Sequence, residues 1–213
     1  MIPAETPPIE PVAAVLLAGG LARRMGGGDK MLLDVAGKTL LQRAIERIQP
    51  QVGPLLLNAN GDPSRFAGFG LPVRADVVAG YAGPLAGILT GMEWLRETRP
   101  DIRWLLSLPT DTPMLPMDLV VRLRAAVEEE KAEIGCARSG GMLHPVFGLW
   151  PVHLADALRH ALVEEEIRKI GSWIRRYKVA EVTWSDDGGD PFLNLNTPDD
   201  LDRYARREQR TST

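Results

Sequence analysis

A chain of 213 residues with 25 Lys and Arg against 28 Asp and Glu, a formal net charge of −3, can bury one α/β core but lacks the basic excess of a nucleic-acid surface. Its one cysteine, Cys136, excludes an intrachain disulfide and any cysteine-rich zinc or iron–sulfur site, and suits a reducing, cytoplasmic setting. No stretch approaches the roughly 20 apolar residues of a membrane helix, so neither nucleic acid nor membrane is an expected partner.

Residues 1–11 are proline-rich and acidic, with neither the basic start nor the apolar run of a signal peptide, and are expected to form a flexible tail. A single domain is expected over residues 12–207, with 208–213 as a C-terminal tail. Val12–Leu16 predicts the first strand, followed by the glycine-rich run Leu17–Lys30. Thr39 and Gln42 read as a capping box that opens a helix with the apolar stripe Leu41, Ala44, Ile45 and Ile48, ending at Pro50. Leu55–Asn58 predicts a strand. A Pro/Gly-rich passage then leads to Val73–Asp76, and the loop Ala79–Pro84 feeds a helix from about Leu85 to Arg96. Trp104–Leu108 reads as a fully buried strand broken by Pro109-Thr110-Asp111-Thr112-Pro113, and Asp118–Glu130 as a helix. Further strands are expected at Ile134–Ala137, Val146–Trp150 and Val179–Trp184, with helices at Val152–Leu162 and Ser172–Arg176. A last helix starts at Thr197, which caps it, with Pro198 in its first position and acids in its first turn. The alternation argues for an α/β fold whose mainly parallel, later mixed, sheet is covered on both faces.

Five glycines between Leu17 and Lys30 let the backbone approach a ligand closely, while Arg23, Arg24 and Lys30 place three positive charges within eight residues. After a first strand, such a loop is suited to phosphate. It is not a P-loop, because Lys30 follows Asp29 and precedes Met31, leaving no hydroxyl for a metal ion. Nor does the next strand end in the acid a dinucleotide fold requires for ribose. It ends in Asn58-Ala59-Asn60, whose amides suit a nucleobase edge. Asp111, just past a buried strand and between two prolines, can hold Mg²⁺ against a triphosphate or cap the following helix as an Asx turn. Asp76 can anchor a base or ribose, or accept loop amides. His144 can contact a ligand or be an incidental loop histidine. Asn194 and Asn196, two apart, can face a polar heterocycle or form the turn into Thr197.

In order along the chain, Leu17-Ala18-Gly19-Gly20, Arg24-Met25-Gly26-Gly27, Asp29-Lys30, Asn58-Ala59-Asn60, Asp76, the Gly80–Gly87 segment, Asp111-Thr112-Pro113, His144-Pro145 and Asn194-Leu195-Asn196-Thr197-Pro198 resemble the molybdenum cofactor guanylyltransferases. The blocks span about residues 12 to 205, and their specificity lies in the set. The chain departs from the simplest members in its N-terminal extension and around Thr98–Arg103, outside the matched blocks.

The resemblance implies a three-layer Rossmann-like nucleotidyltransferase fold. It also implies a reaction in which GMP passes from GTP to the phosphate of molybdopterin, with pyrophosphate released and Mg²⁺ required. Position by position, Leu17, Ala18, Gly19, Gly20 and Lys30 would hold GTP phosphates, with Arg24 screening charge. Asn58 and Asp76 would contact guanosine, and Asp111 would bind GTP and the metal. Gly83, Pro84, His144, Asn194 and Asn196 would face the pterin. Related cytidylyltransferases favour Leu-Ala-Ala-Gly where this chain has Leu17-Ala18-Gly19-Gly20, which points to guanine. Molybdoenzyme chaperones and other cofactor-biosynthesis proteins stand as candidate partners. The competing expectations are a CTP-dependent molybdopterin or sugar-phosphate nucleotidyltransferase, and a non-catalytic nucleotide-binding assembly protein.

Overall fold

The computed structural model describes residues 10–18, 29–80 and 83–211, so the expectations for Gly19, Gly20 and Arg24 lie outside the described residues. In chain order the elements are β1 (Val12–Leu17), β2 (Asp34–Val35), β3 (Lys38–Thr39), α1 (Leu40–Ile48), β4 (Leu55–Asn58), β5 (Val73–Arg74), α2 (Pro84–Thr98), β6 (Trp104–Pro109), α3 (Leu119–Glu130), β7 (Ile134–Ser139), β8 (Met142–Pro151), α4 (Ala155–Val163), α5 (Ile170–Ile174), β9 (Val179–Thr183) and α6 (Pro198–Thr211). The last helix thus continues past Arg207, where the domain was expected to stop.

Every residue of β1 is buried because helices cover both faces of its sheet. Ala14 and Leu16 join a core with Leu41, Ala44 and Ile48 of α1 and Leu119 and Leu123 of α3. Their neighbours Ala13, Val15 and Leu17 point the other way, into a core with Ile88, Leu89 and Met92 of α2 and Leu158 of α4. Three layers follow from that alternation, as expected. Cys136 in β7 is fully buried and serves as a small apolar side chain, its thiol pushed up to about 12 by burial.

The sheet order is β5-β4-β1-β6-β8-β7-β9. Its strands are parallel except β8, which pairs antiparallel with both β6 and β7. The carboxyl ends of β1, β4, β6 and β7 therefore share one edge with the beginning of β8, and ligands of open α/β sheets bind at such an edge.

Two features differ from the sequence reading. β8 starts at Met142, which places His144 inside a strand and not in the preceding loop. The strand accommodates Pro145 because the β7–β8 register shifts between Cys136 and Ala137, so the ladder does not depend on the missing N–H. The β2–β3 hairpin was not anticipated. Ala36 and Gly37 both take positive φ, 53° and 80°, as a two-residue hairpin turn demands, but Ala-Gly lacks the Asn or Asp that usually signals it. Among the described residues no helix is long and apolar enough to cross a membrane.

Candidate functional site

Three side chains distant in sequence meet at the shared edge. Lys30 sits in a 3₁₀ turn, Lys30–Leu32, at the end of the glycine-rich run. Its Nζ lies 2.6 Å from Asp111 Oδ2 and 2.6 Å from Asn196 Oδ1, donating to both. With the side chains of Lys30 and Asp111 only 14% and 18% exposed, the pair is poorly screened by water and its attraction well above that of a surface bridge. An ammonium has three donors, and two are used among the described residues.

Asp111 caps no helix, since α3 begins at Leu119. Its backbone oxygen accepts the Leu195 N–H at 3.0 Å, and its Oδ1 is buried with no hydrogen-bond partner among the described residues. Such an orphaned carboxylate oxygen is costly unless a cation or donor arrives. No group of three or more His, Cys, Asp or Glu suited to a metal exists among the described residues. A divalent ion held at Asp111 would therefore draw its other ligands from substrate phosphates and water, the habit of Mg²⁺.

Residues 194–197 behave as a strap across Asp111. Thr112 Oγ1 donates to Asn194 Oδ1 at 2.7 Å, and Leu195 is buried with Val35, Leu40 and Tyr204. The strap runs into α6 through a reciprocal cap. Thr197 Oγ1 accepts the Asp200 N–H at 3.2 Å, while Asp200 Oδ2 accepts the Asn196 and Thr197 N–H groups at 3.1 and 3.0 Å. Hydrogen bonding from the Thr197 side chain, then from these amides, holds the Asp200 carboxyl below its usual range. Asn194 and Asn196 thus accept from Thr112 and Lys30, in a segment that is not a strand and forms the turn into Thr197.

On the β4–β5 side, Asn58 is buried and its Nδ2 donates to Arg74 O at 3.2 Å and Asp76 Oδ1 at 3.0 Å. Asn60 completes the cluster, with Nδ2 donating to Asp76 Oδ2 at 2.8 Å and Oδ1 accepting the Asp76 N–H at 2.9 Å. Both amide protons of Asn58 are thereby committed within the protein, and Asp76 is the group they orient. Leu17 and Ala18 are buried beneath, and the Ala18 N–H donates to Asn58 O at 2.9 Å, so this amide, expected to face phosphate, is used in the sheet. Gly87 of α2 packs against the same place. A Cβ there would sit 2.5 Å from Leu17 Cδ2 and closer still to Asn58 Oδ1. Gly83 and Pro84 open α2 as its N-cap and first helical residue.

His144 stands at the β8 end of the edge, against the packed pair Phe147 and Phe192, whose ring centroids are 6.3 and 5.3 Å away. Its Nε2 is 2.7 Å from Ser139 Oγ, which also donates to Asp190 Oδ1 at 2.7 Å. Sequence reading gave no site role to Ser139, Asp190, Thr112 or the pair in which Arg65 Nη1 reaches both Asp29 oxygens at 2.6 and 2.7 Å. Nothing local marks these residues. Only Thr112 could have been suspected, as a hydroxyl beside Asp111 in the same stiff loop.

Residues 14–181 match the family described as the MobA-like NTP transferase domain. A relative from Rhodopseudomonas palustris, called molybdenum cofactor guanylyltransferase, is 54% identical over 200 residues, covering 92% of this chain and 95% of the relative. One of the same name from Bradyrhizobium sp. is 55% identical over 202 residues, covering 93% and 95%. Among solved structures, molybdopterin-guanine dinucleotide biosynthesis protein A from Archaeoglobus fulgidus superposes with a TM-score of 0.70 at 23% identity, over 93% of this chain and 99% of that one. A CMP:2-keto-3-deoxy-manno-octonic acid synthetase complexed with CTP superposes at 0.66 and 12% identity, over 94% and 98%. These two establish the shared Rossmann-like nucleotidyltransferase fold.

Proposed function

Because the chain belongs to the MobA-like NTP transferase domain family, we infer that it transfers the GMP part of GTP to the phosphate of molybdopterin, forming the guanine dinucleotide and releasing pyrophosphate. The observation that carries this reading is the meeting of Lys30, Asp111 and Asn196 at 2.6 Å contacts on the strand-end edge, with Asp111 Oδ1 lacking a partner among the described residues.

In the reaction the terminal phosphate of molybdopterin attacks the α-phosphorus of GTP in line, and the bond to the β-phosphate breaks. Both reactants are anions and an ionised phosphate is already a nucleophile, so the protein must align and screen, with little need for a general base. Lys30, held by Asp111 and Asn196, directs its third N–H toward a phosphate oxygen without having to search rotamers. Arg24 and the backbone of Leu17, Gly19 and Gly20 are assigned to the same phosphates, the Ala18 amide being engaged by Asn58 O. Asp111 is the residue that would hold Mg²⁺, which would supply further charge screening on the triphosphate. Asp76, whose carboxylate oxygens keep lone pairs beyond those used by Asn58 and Asn60, receives the donors of guanosine. Gly83, Pro84, His144, Asn194 and Asn196 face the pterin. The setting we assign is cytoplasmic, where cofactor-biosynthesis proteins or molybdoenzyme chaperones would take the product.

Incubating the full chain with Mg²⁺, GTP and molybdopterin should yield the dinucleotide by mass, together with equimolar pyrophosphate. Calorimetry should find GTP bound at least about tenfold tighter than CTP, about 1.4 kcal/mol. Product formed from CTP in preference, or nucleotide binding with no product at all, would return the assignment to its competitors.

A further inference from the structure

The polar chain Asp190–Ser139–His144 is not accounted for by phosphate, metal or base binding. Ser139 ends β7 and is 1% exposed, so its hydroxyl has to find partners inside the protein. It has two, Asp190 Oδ1 and His144 Nε2, each at 2.7 Å. Asp190 Oδ1 also accepts the Phe192 N–H at 2.9 Å, which marks it as an acceptor. A serine hydroxyl has one proton. Given to the carboxylate, it is not available to the imidazole, and the Ser139–His144 bond then requires a proton on Nε2.

We propose that Asp190 and Ser139 are positioning residues that fix His144 as the Nε2–H tautomer and turn its Nδ1 outward as a hydrogen-bond acceptor for an N–H donor of the acceptor's heterocycle. Phe192 and Phe147, packed together with centroids 4.8 Å apart, lie on one side of the ring. Nδ1 has no protein partner among the described residues and is not among the enclosed unpaired atoms, so it is open to a ligand. The start of β8 lies on the same edge as Lys30 and Asp111, and the segment that carries Asp190 and Phe192 leads directly into Asn194 and Asn196. One stretch of chain thus fixes both the imidazole and the amide that holds Lys30. The identity of the ligand rests on the guanylyl-transfer reading, whereas the tautomer does not.

The test is long-range ¹H–¹⁵N correlation on the full chain labelled at histidine. Of the three histidines, His153 and His160 are exposed, and His153→Gln with His160→Gln leaves His144 as the sole signal. The wild-type ring should show its proton on Nε2. Asp190→Ala releases the Ser139 proton for Nε2, and the signal should move to the Nδ1–H pattern. The KM for molybdopterin should then rise about tenfold while that for GTP stays within about twofold. Ser139→Ala should give a tautomer mixture and a similar rise. Nδ1–H in the wild type, or no tautomer change in either variant, overturns the proposal. If Asp190→Ala does not fold, the wild-type and Ser139→Ala spectra decide it alone. A wild type with the Nε2–H pattern that makes no dinucleotide would contradict the proposed function and leave the positioning chain standing.

Discussion

On the β4–β5 side of the edge, Asn58, Asn60 and Asp76 close on one another across 16 to 18 residues of chain, helped by the pairing of β4 with β5. On the β1–β6 side, Lys30 meets Asp111 across 81 residues and Asn196 across 166, and only the assembled sheet with the α6 strap brings them together. The first cluster consists of hydrogen bonds that nearly satisfy each other. The second retains, among the described residues, an unpaired carboxylate oxygen and a spare ammonium donor. A satisfied cluster can fix a shape, while an unsatisfied one is left to act on a charged substrate.

Substitutions on the two sides should therefore fail differently. Asp111→Ala has the largest expected effect, a loss of turnover on the order of 10³ or more at ordinary Mg²⁺ with the fold retained, read by initial rates and circular dichroism. Lys30→Ala should cost about 10²–10³ in kcat, and Lys30→Arg should not rescue it because a guanidinium fork replaces a compact charge. Gly87→Ala should destabilise the protein by about 1–3 kcal/mol in denaturant unfolding, since its methyl would press on Leu17 and Asn58, and should weaken GTP through the displaced Asp76. The smallest effect is expected for Asp200→Ala, a loss of about 0.5–2 kcal/mol from the α6 cap. Its pH dependence has a fixed sign. The Asp200 carboxyl is lowered from 3.8 in the folded protein, so the wild-type advantage should be whole above that value and disappear as pH falls through the folded one.

The same division governs what the sequence reveals. The meeting of Lys30 and Asp111 was legible because a cation and an acid each follow a buried strand, and buried runs such as Leu55–Asn58 place strand ends clearly. The capping pairs at Thr39 and Thr197 were legible because helix starts are local. Arg43 was not. It is buried in α1, its guanidinium 2.5 Å from Val35 O and near Tyr204 OH, and the need for it arises only when the hairpin and α6 fold over it. Ser139 and Asp190 were hidden likewise, because a hydroxyl and a carboxylate 51 residues apart carry no shared periodicity. His144 looked like a loop residue since Pro145 normally ends a strand, and only the register shift in β7 shows otherwise.

A double-mutant cycle on kcat/KM for GTP, combining Lys30→Ala with Asp111→Asn, tests whether ammonium and carboxylate serve one triphosphate. Coupling is expected, with the double variant little worse than the poorer single one. Losses that simply multiply would mean that the two residues act independently, and would contradict a shared phosphate site.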